Sequence, residues 1–156
     1  MPMPTLVKTS AAVTAAALTG SLVTRPGSLW YRSLAKPRWQ PPPAAFPIVW
    51  TTLYGLLAVA SARVLDHAAG PARARFTRTL GVNLALNAGW PLVFFGARAP
   101  RAALAESALL TASTMSLLSR AWRVDRAAAA AVAPYAAWTT FATALTASIA
   151  ARNRGR

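Results

Sequence analysis

An all-α membrane fold, a single domain built as a bundle of five transmembrane helices, is what this sequence predicts, and three observations predict it. Hydrophobic residues make up 55% of the 156 positions and charged residues 13%, well below the roughly 25% of ordinary soluble domains. The charges gather between long uncharged intervals instead of being spread along them. Those intervals approach or reach the roughly 17–25 residues a helix needs to cross a bilayer, and no strand-like alternation runs through them.

The first span, about 6–25, is rich in Ala, Val, Thr and Leu and crosses only if Lys8 and Arg25 snorkel to opposite interfaces. A basic Lys8 ahead of an apolar run ending near Ala15-Ala16-Ala17 is also the pattern of a cleaved signal peptide. A loop over 26–42 then sets Trp30, Tyr31, Trp39 and the prolines 37, 41 and 42 among Arg32, Lys36 and Arg38, as an interfacial segment does. The remaining spans lie at about 43–64, 77–97, 100–120 and 127–150. Gly70-Pro71, Gly96 with Pro100, and Arg123-Val124-Asp125-Arg126 punctuate the short connections, which predict antiparallel neighbours. Eight cations fall on one side of such a bundle and nine on the other, so the positive-inside rule sets no orientation.

The charge balance is one-sided, 17 Lys+Arg against 3 Asp+Glu. A nucleic-acid reader gathers its cations on one face that tracks phosphates, whereas these sit in loops, where lipid headgroups are the natural partners. Membrane lipid is therefore the expected partner and nucleic acid is not. There is no cysteine, hence no disulfide framework and no thiolate chemistry. His67, Asp66, Glu106 and Asp125 supply no carboxylate pair, no triad and no three-ligand metal set in any one element. No catalytic residue, metal site or required cofactor is expected.

Within the third span Asn83, Asn87, Trp90 and Phe94 recur at i, i+4, i+7 and i+11 and so share a face, polar at one end and aromatic at the other. An amide in hydrocarbon needs a partner, which points Asn83 and Asn87 into the bundle, where interhelical hydrogen bonding alone would also account for them. Trp50 and Tyr54 in the second span, and Tyr135, Trp138, Ala142 and Thr146 in the fifth, form similar stripes. Trp30, Tyr31, Trp39 and Trp122, near span ends, read as interfacial anchors; Trp50, Trp90 and Trp138 lie too deep for that. Indoles facing one another across small residues such as Ala142 leave a cleft suited to a flat aromatic ligand, which the amides would orient. Ser107, Thr111, Ala112 and Ser116 in the fourth span read as close helix packing or a dimer face, and Glu106 as the partner of a loop arginine.

Three blocks, in order, resemble one known family. Trp30-Tyr31-x-x-Leu34-x-Lys36-Pro37-x-Trp39-x-Pro41-Pro42-x-x-x-Phe46-x-x-x-Trp50-x-x-Leu53-Tyr54 is similar to the signature of the tryptophan-rich sensory proteins, also called translocator proteins or peripheral-type benzodiazepine receptors. Leu86-Asn87-x-x-Trp90 with Phe94-Phe95-Gly96 resembles the family's third-helix motif, and Pro134-Tyr135-x-x-Trp138-x-x-Phe141-Ala142-x-x-Leu145 its fifth. The resemblance implies a five-helix membrane bundle, often a homodimer, whose first loop lids a cavity that takes porphyrins such as protoporphyrin IX, haem, and benzodiazepine-site ligands. It implies a lining of Tyr31, Pro41, Trp50, Tyr54, Asn83, Asn87, Trp90, Phe94, Trp138 and Ala142.

The chain departs from the family pattern at Thr146, where Asn is common, and at Asn83, where Gln is frequent. The sterol pattern of the animal proteins is missing after Tyr135, although Leu29-x-Tyr31 with Lys36 fits its loose form in the lid. Three functions follow as expectations: a sensor or transporter of tetrapyrroles, a light- and oxygen-dependent porphyrin-degrading protein, or a regulatory membrane partner without a ligand of its own. High Ala and Arg usage suggests a bacterial source and a cell-envelope membrane.

Overall fold

The structure, a computed structural model, describes residues 4–155. Its described residues form six helices and no strand: α1 (Thr5–Val23), α2 (Leu29–Ser33), α3 (Ala45–His67), α4 (Gly70–Pro91), α5 (Pro100–Val124) and α6 (Arg126–Arg152), with a π-helical turn, Leu92–Gly96, prolonging α4. The expected count of five is therefore one short, because Ser28 caps a brief helix within the lid by accepting the Tyr31 N–H at 3.2 Å. Three of the long helices, α1, α3 and α5, are long and apolar enough to cross a membrane. The other two are long but more polar: α4 opens with Arg73, Arg75 and Arg78, and α6 carries Thr139, Thr140, Thr143 and Thr146.

Sequence neighbours are not all neighbours in space. The five long helices close a ring in the order α1, α3, α6, α5, α4 and back to α1. Although only two residues join α3 to α4, the two touch each other little, and each packs along α1, which stands between them. What admits α1 is its own stripe of small and medium residues. Thr9, Val13, Ala16 and Gly20 are buried at i, i+4, i+7 and i+11, and the Thr9 hydroxyl donates to the Ala58 carbonyl of α3 at 2.9 Å. At Gly20 a Cβ would stand 3.3 Å from the Pro91 ring of α4, so the missing side chain lets the two backbones approach.

Between α5 and α6 the small polar residues act as packing groups. Thr143 lies 2.8 Å from the Ser107 hydroxyl and 2.9 Å from that of Thr111, and donates to the Ser107 carbonyl at 3.0 Å. Ser107 and Thr111 of the fourth-span pattern thus form an internal seam between α5 and α6, while Ala112 of the same pattern is exposed. Outward, the bundle shows apolar side chains: Leu22, Ile48, Val82 and Leu109 are all more than half exposed. That is a surface for acyl chains more than for water.

The helix ends are built by local chemistry. After α3 the chain turns at Gly70 with φ of +51°, a left-handed conformation that glycine adopts without cost, and Pro71 then enters the first turn of α4. Asp125 caps α6 by accepting from Ala127 N at 2.8 Å and Ala128 N at 3.2 Å, while its other oxygen binds Arg63 of α3 at 2.8 Å. The Ala128 N–H first, then the Ala127 N–H and the Arg63 guanidinium, hold this carboxyl below the usual carboxylate range. A carboxylate with a depressed folded-state pKa stabilises the fold above its unfolded value of about 3.9 and loses that contribution as pH falls through the folded value. Asp125→Asn keeps a capping side chain but removes the titration. We expect the loss of thermal stability below about pH 4 to be shallower in this variant than in the parent when the two acid profiles are compared in detergent.

Candidate ligand-binding site

Two aromatic clusters meet inside the ring and beneath the lid. In the first, Trp50 of α3 stacks on Tyr54 at 5.4 Å between ring centroids and stands edge-on to Tyr135 and Trp138 of α6, each at 6.3 Å. In the second, Trp90 stacks on Phe94 at 4.7 Å, and Phe94 takes edge contacts from Trp30 at 5.5 Å, Tyr31 at 6.1 Å and Phe95 at 4.9 Å. Trp138 joins the two through Phe46 at 5.9 Å and Phe141 at 5.1 Å.

The second cluster depends on Pro91. Proline has no N–H for the Asn87 carbonyl, and its ring crowds that carbonyl, so a regular α-helix cannot continue through it. The chain widens instead into a π turn closed by Ala97 N donating to the Leu92 carbonyl at 2.8 Å. Phe94 is thereby buried, 1% exposed, while its neighbour Phe95 also reaches the lid, 5.3 Å from the Tyr31 ring.

From the first cluster a directional chain of hydrogen bonds runs to α5. Tyr54 donates to Asn87 Oδ1 at 2.7 Å, Asn87 Nδ2 to the Tyr135 hydroxyl at 3.0 Å, and Tyr135 to Asn83 Oδ1 at 2.8 Å. Asn83 Nδ2 then donates to Ser113 at 2.8 Å and Thr114 at 2.9 Å, and Thr114 to the Leu110 carbonyl at 2.8 Å. The path runs from α3 to α4, across to α6, back to α4 and on to α5, so four helices are linked. Asn83 and Asn87 do point inward, 0% and 6% exposed, but their amides are spent on one another's partners. Tyr135, Ser113 and Thr114 carry as much of this network as the asparagines do. Their helical spacing marked the face; nothing in it named the partner.

The polar atoms left without a protein partner are elsewhere. Trp90 Nε1, Trp138 Nε1 and Gln40 Oε1 are buried with no hydrogen bond. Two are indole donors inside the clusters, and the third belongs to the lid residue whose Nε2 donates to the Tyr31 hydroxyl at 3.2 Å. The unpaired donors of this interior are therefore indoles, while both amides already have protein partners. Glu106 Oε2 is buried and unpaired as well. Its carboxylate lies against Gly89 of α4, where a Cβ would meet Oε1 at 2.5 Å, and among the described residues no arginine forms an ion pair with it.

The lid is fastened at its middle. Leu34 is buried, 7% exposed, in the cluster that holds Phe94, Leu145 and Ile149. Asn153, just past α6, accepts from Ala35 N and donates to the Ala35 carbonyl, both at 3.0 Å. Lys36 donates to the carbonyls of Tyr31 and Leu34 and lies 4.4 Å from the Tyr31 ring centre. Burial lowers the pKa of this ammonium and raises that of the Tyr31 phenol, the latter offset in part by the Gln40 hydrogen bond. Trp30 and Tyr31 are thus lid-to-core contacts rather than interfacial anchors, and Lys36 holds a turn, leaving Arg32 and Arg38 as the exposed lid cations. Trp122, 57% exposed, keeps the anchor's position.

Of the ten candidate residues, Trp50, Tyr54, Asn83, Asn87 and Trp138 form one connected group, and Tyr31, Trp90 and Phe94 the other. Pro41 lies half-buried between α2 and α3, and Ala142 half-buried on α6, its carbonyl accepting from Thr146 at 2.8 Å.

Known proteins share this architecture in sequence. Residues 9–152 match the TspO/MBR family. A tryptophan-rich sensory protein of Cereibacter sphaeroides is 42% identical over 96 residues, 61% of this chain and 57% of the relative. The tryptophan-rich protein TspO of Chlorobaculum tepidum is 38% identical over 87 residues, 55% of each chain, and the translocator protein of Bos taurus 35% identical over 99 residues, 62% of this chain and 57% of the relative. The matched stretches thus span little more than half the length of these curated relatives. With a family match covering almost the whole sequence and apolar helices of spanning length, this chain is an integral membrane protein that belongs to the TspO/MBR family.

Proposed function

We propose that the protein is a membrane receptor or transporter that binds porphyrins, protoporphyrin IX or haem, and related flat apolar ligands in the aromatic interior beneath its lid, with all five long helices crossing the bilayer. The five-span topology is supported by ring order: α4 stands between α1 and α5, and α6 between α5 and α3, so each of the two more polar helices is flanked by helices fit to span. Names of relatives, a sensory protein and a translocator protein, accord with sensing or transport. A bacterial cell-envelope membrane is the proposed location. A homodimer belongs to the same reading, since Gly81 and Ala85, exposed one turn apart on α4, permit close helix approach.

The observation that carries the ligand reading is the pair of buried indole N–H groups, Trp90 and Trp138, without a protein acceptor. Buried donors are ordinarily satisfied, and leaving one unpaired costs about 1–3 kcal/mol. An acceptor on a bound ligand removes that cost, and indole faces supply the stacking surface a macrocycle needs. Trp50 and Trp138 stand edge-to-face at 6.3 Å, so a flat ligand enters by parting these rings and lifting the lid.

Quenching of intrinsic tryptophan fluorescence by protoporphyrin IX in detergent tests this. Saturable quenching is expected, and Trp138→Phe, which keeps a ring but loses the donor, should raise Kd about tenfold, the loss of one hydrogen bond to a charged acceptor. Combined Trp50→Ala and Trp138→Ala should weaken binding further. Quenching that rises without saturation, or a Kd indifferent to both changes, would remove the site.

A further inference from the structure

Away from the lid, between the end of α5 and the start of α6, the surface opens into a groove of about 550 Å³. We infer that this groove seats one anionic phospholipid, its phosphate on Arg123 and Arg126 and one acyl chain running along α5 toward Met115. The inference concerns a different face from the aromatic site and rests only on the protein being embedded in a membrane.

Two features select this occupant. The first is charge. Arg123 lines the groove mouth, and Arg126, exposed at the first residue of α6, lies 5.2 Å from the Trp122 ring centre that forms one wall. The one acid beside them, Asp125, is committed to Arg63 and to the N–H groups of Ala127 and Ala128, so among the described residues no carboxylate forms an ion pair with these cations. The second is depth. From Arg123 to Met115 the groove descends eight residues of helix, about 12 Å at 1.5 Å per residue, comparable with half a hydrocarbon core of about 30 Å. Its lower walls, Leu118, Met115 and Ala133, are apolar.

Brominated lipids read the site directly, because bromine on an acyl chain quenches only nearby indoles. The full chain is placed in phosphatidylcholine bilayers with a small fraction of brominated phosphatidylglycerol or brominated phosphatidylcholine, and the Trp122 contribution is taken as the difference between the parent and Trp122→Phe. We expect the anionic lipid to be preferred by at least about tenfold, since each arginine near a membrane surface contributes on the order of fivefold. Arg123→Gln with Arg126→Gln should bring the preference close to parity, and Ala133→Phe, which fills the apolar part, should reduce quenching by both lipids. Equal quenching in the parent overturns the inference, as does a preference that survives the double glutamine change. So does a Trp122 contribution that neither lipid quenches, the result expected if a second copy covers the groove, or one that a brominated sterol quenches better than the anionic lipid.

Discussion

Tyr135→Ala is expected to lower the stability of the bundle by about 3–5 kcal/mol, the range for removing a fully buried aromatic side chain. Tyr135 is 0% exposed, touches the Trp50 ring edge-on, accepts from Asn87 and donates to Asn83. Its removal deletes packing and also strands two amide groups that have no water to turn to. Tyr135→Phe separates the two effects. Interhelical hydrogen bonds in membranes average about 0.6 kcal/mol and reach about 1.7, because the separated helices find other partners, so the hydroxyl alone should cost about 1–2 kcal/mol. Packing is thus the larger effect. Equilibrium unfolding in mixed detergent and SDS measures both variants; equal losses would assign the core to its hydrogen bonds and refute this ranking.

How much of this interior could be read from the sequence follows from which forces act locally. Helical periodicity is local, and it put Asn83 with Asn87 and Trp50 with Tyr54 on shared faces. The need of a buried amide for a partner is also general, and it turned those faces inward. Partner identity is not local. That Tyr135 stands between the asparagines, 52 residues from Asn83, depends on α6 facing α4 across the ring, which loop lengths do not specify. Short connections imply proximity of helix ends, not contact along helices, and α1 takes the place between α3 and α4 because Gly20 and Pro91 can approach so closely.

Composition alone read the lid as a loop of anchors; that it closes over a cavity, with Tyr31 in the lining, was implied only by the family resemblance. Its aromatic residues carry the same composition whether they face headgroups or Phe94, and composition alone favoured the headgroups. What turns Trp30 and Tyr31 inward is the burial of Leu34 and the Asn153 side chain clasping the Ala35 backbone across 118 residues of sequence. Pro91 was visible in the third span as well, but a proline states only that the helix is interrupted. The interruption takes the form of a widened turn that brings Phe94 and Phe95 together against the lid, and this is settled by what each ring can pack on.

Phe94→Ala should therefore loosen the lid as well as the bundle. The ring contacts Trp30, Tyr31, Trp90 and Phe95 at centroid distances of 4.7–6.1 Å and is 1% exposed. Truncating a buried phenylalanine costs about 3–5 kcal/mol, and part of that loss falls on the two lid contacts, each aromatic pair contributing about 0.5–1.5 kcal/mol. The lid's own opening equilibrium should then shift by about 1–3 kcal/mol, a factor of roughly 5–150 in amide exchange over residues 29–42, if exchange there proceeds by local opening. Asn153→Ala should speed exchange in the same segment by a comparable factor, since it removes two neutral hydrogen bonds to the lid worth about 0.5–1.5 kcal/mol each, but it leaves the rings seated. Exchange measured by mass spectrometry on the full chain in detergent distinguishes the outcomes. Acceleration confined to α4 in Phe94→Ala, with residues 29–42 unchanged, would show that the lid closes without the ring, and the route into the aromatic interior would then have to lie between helices rather than under the lid.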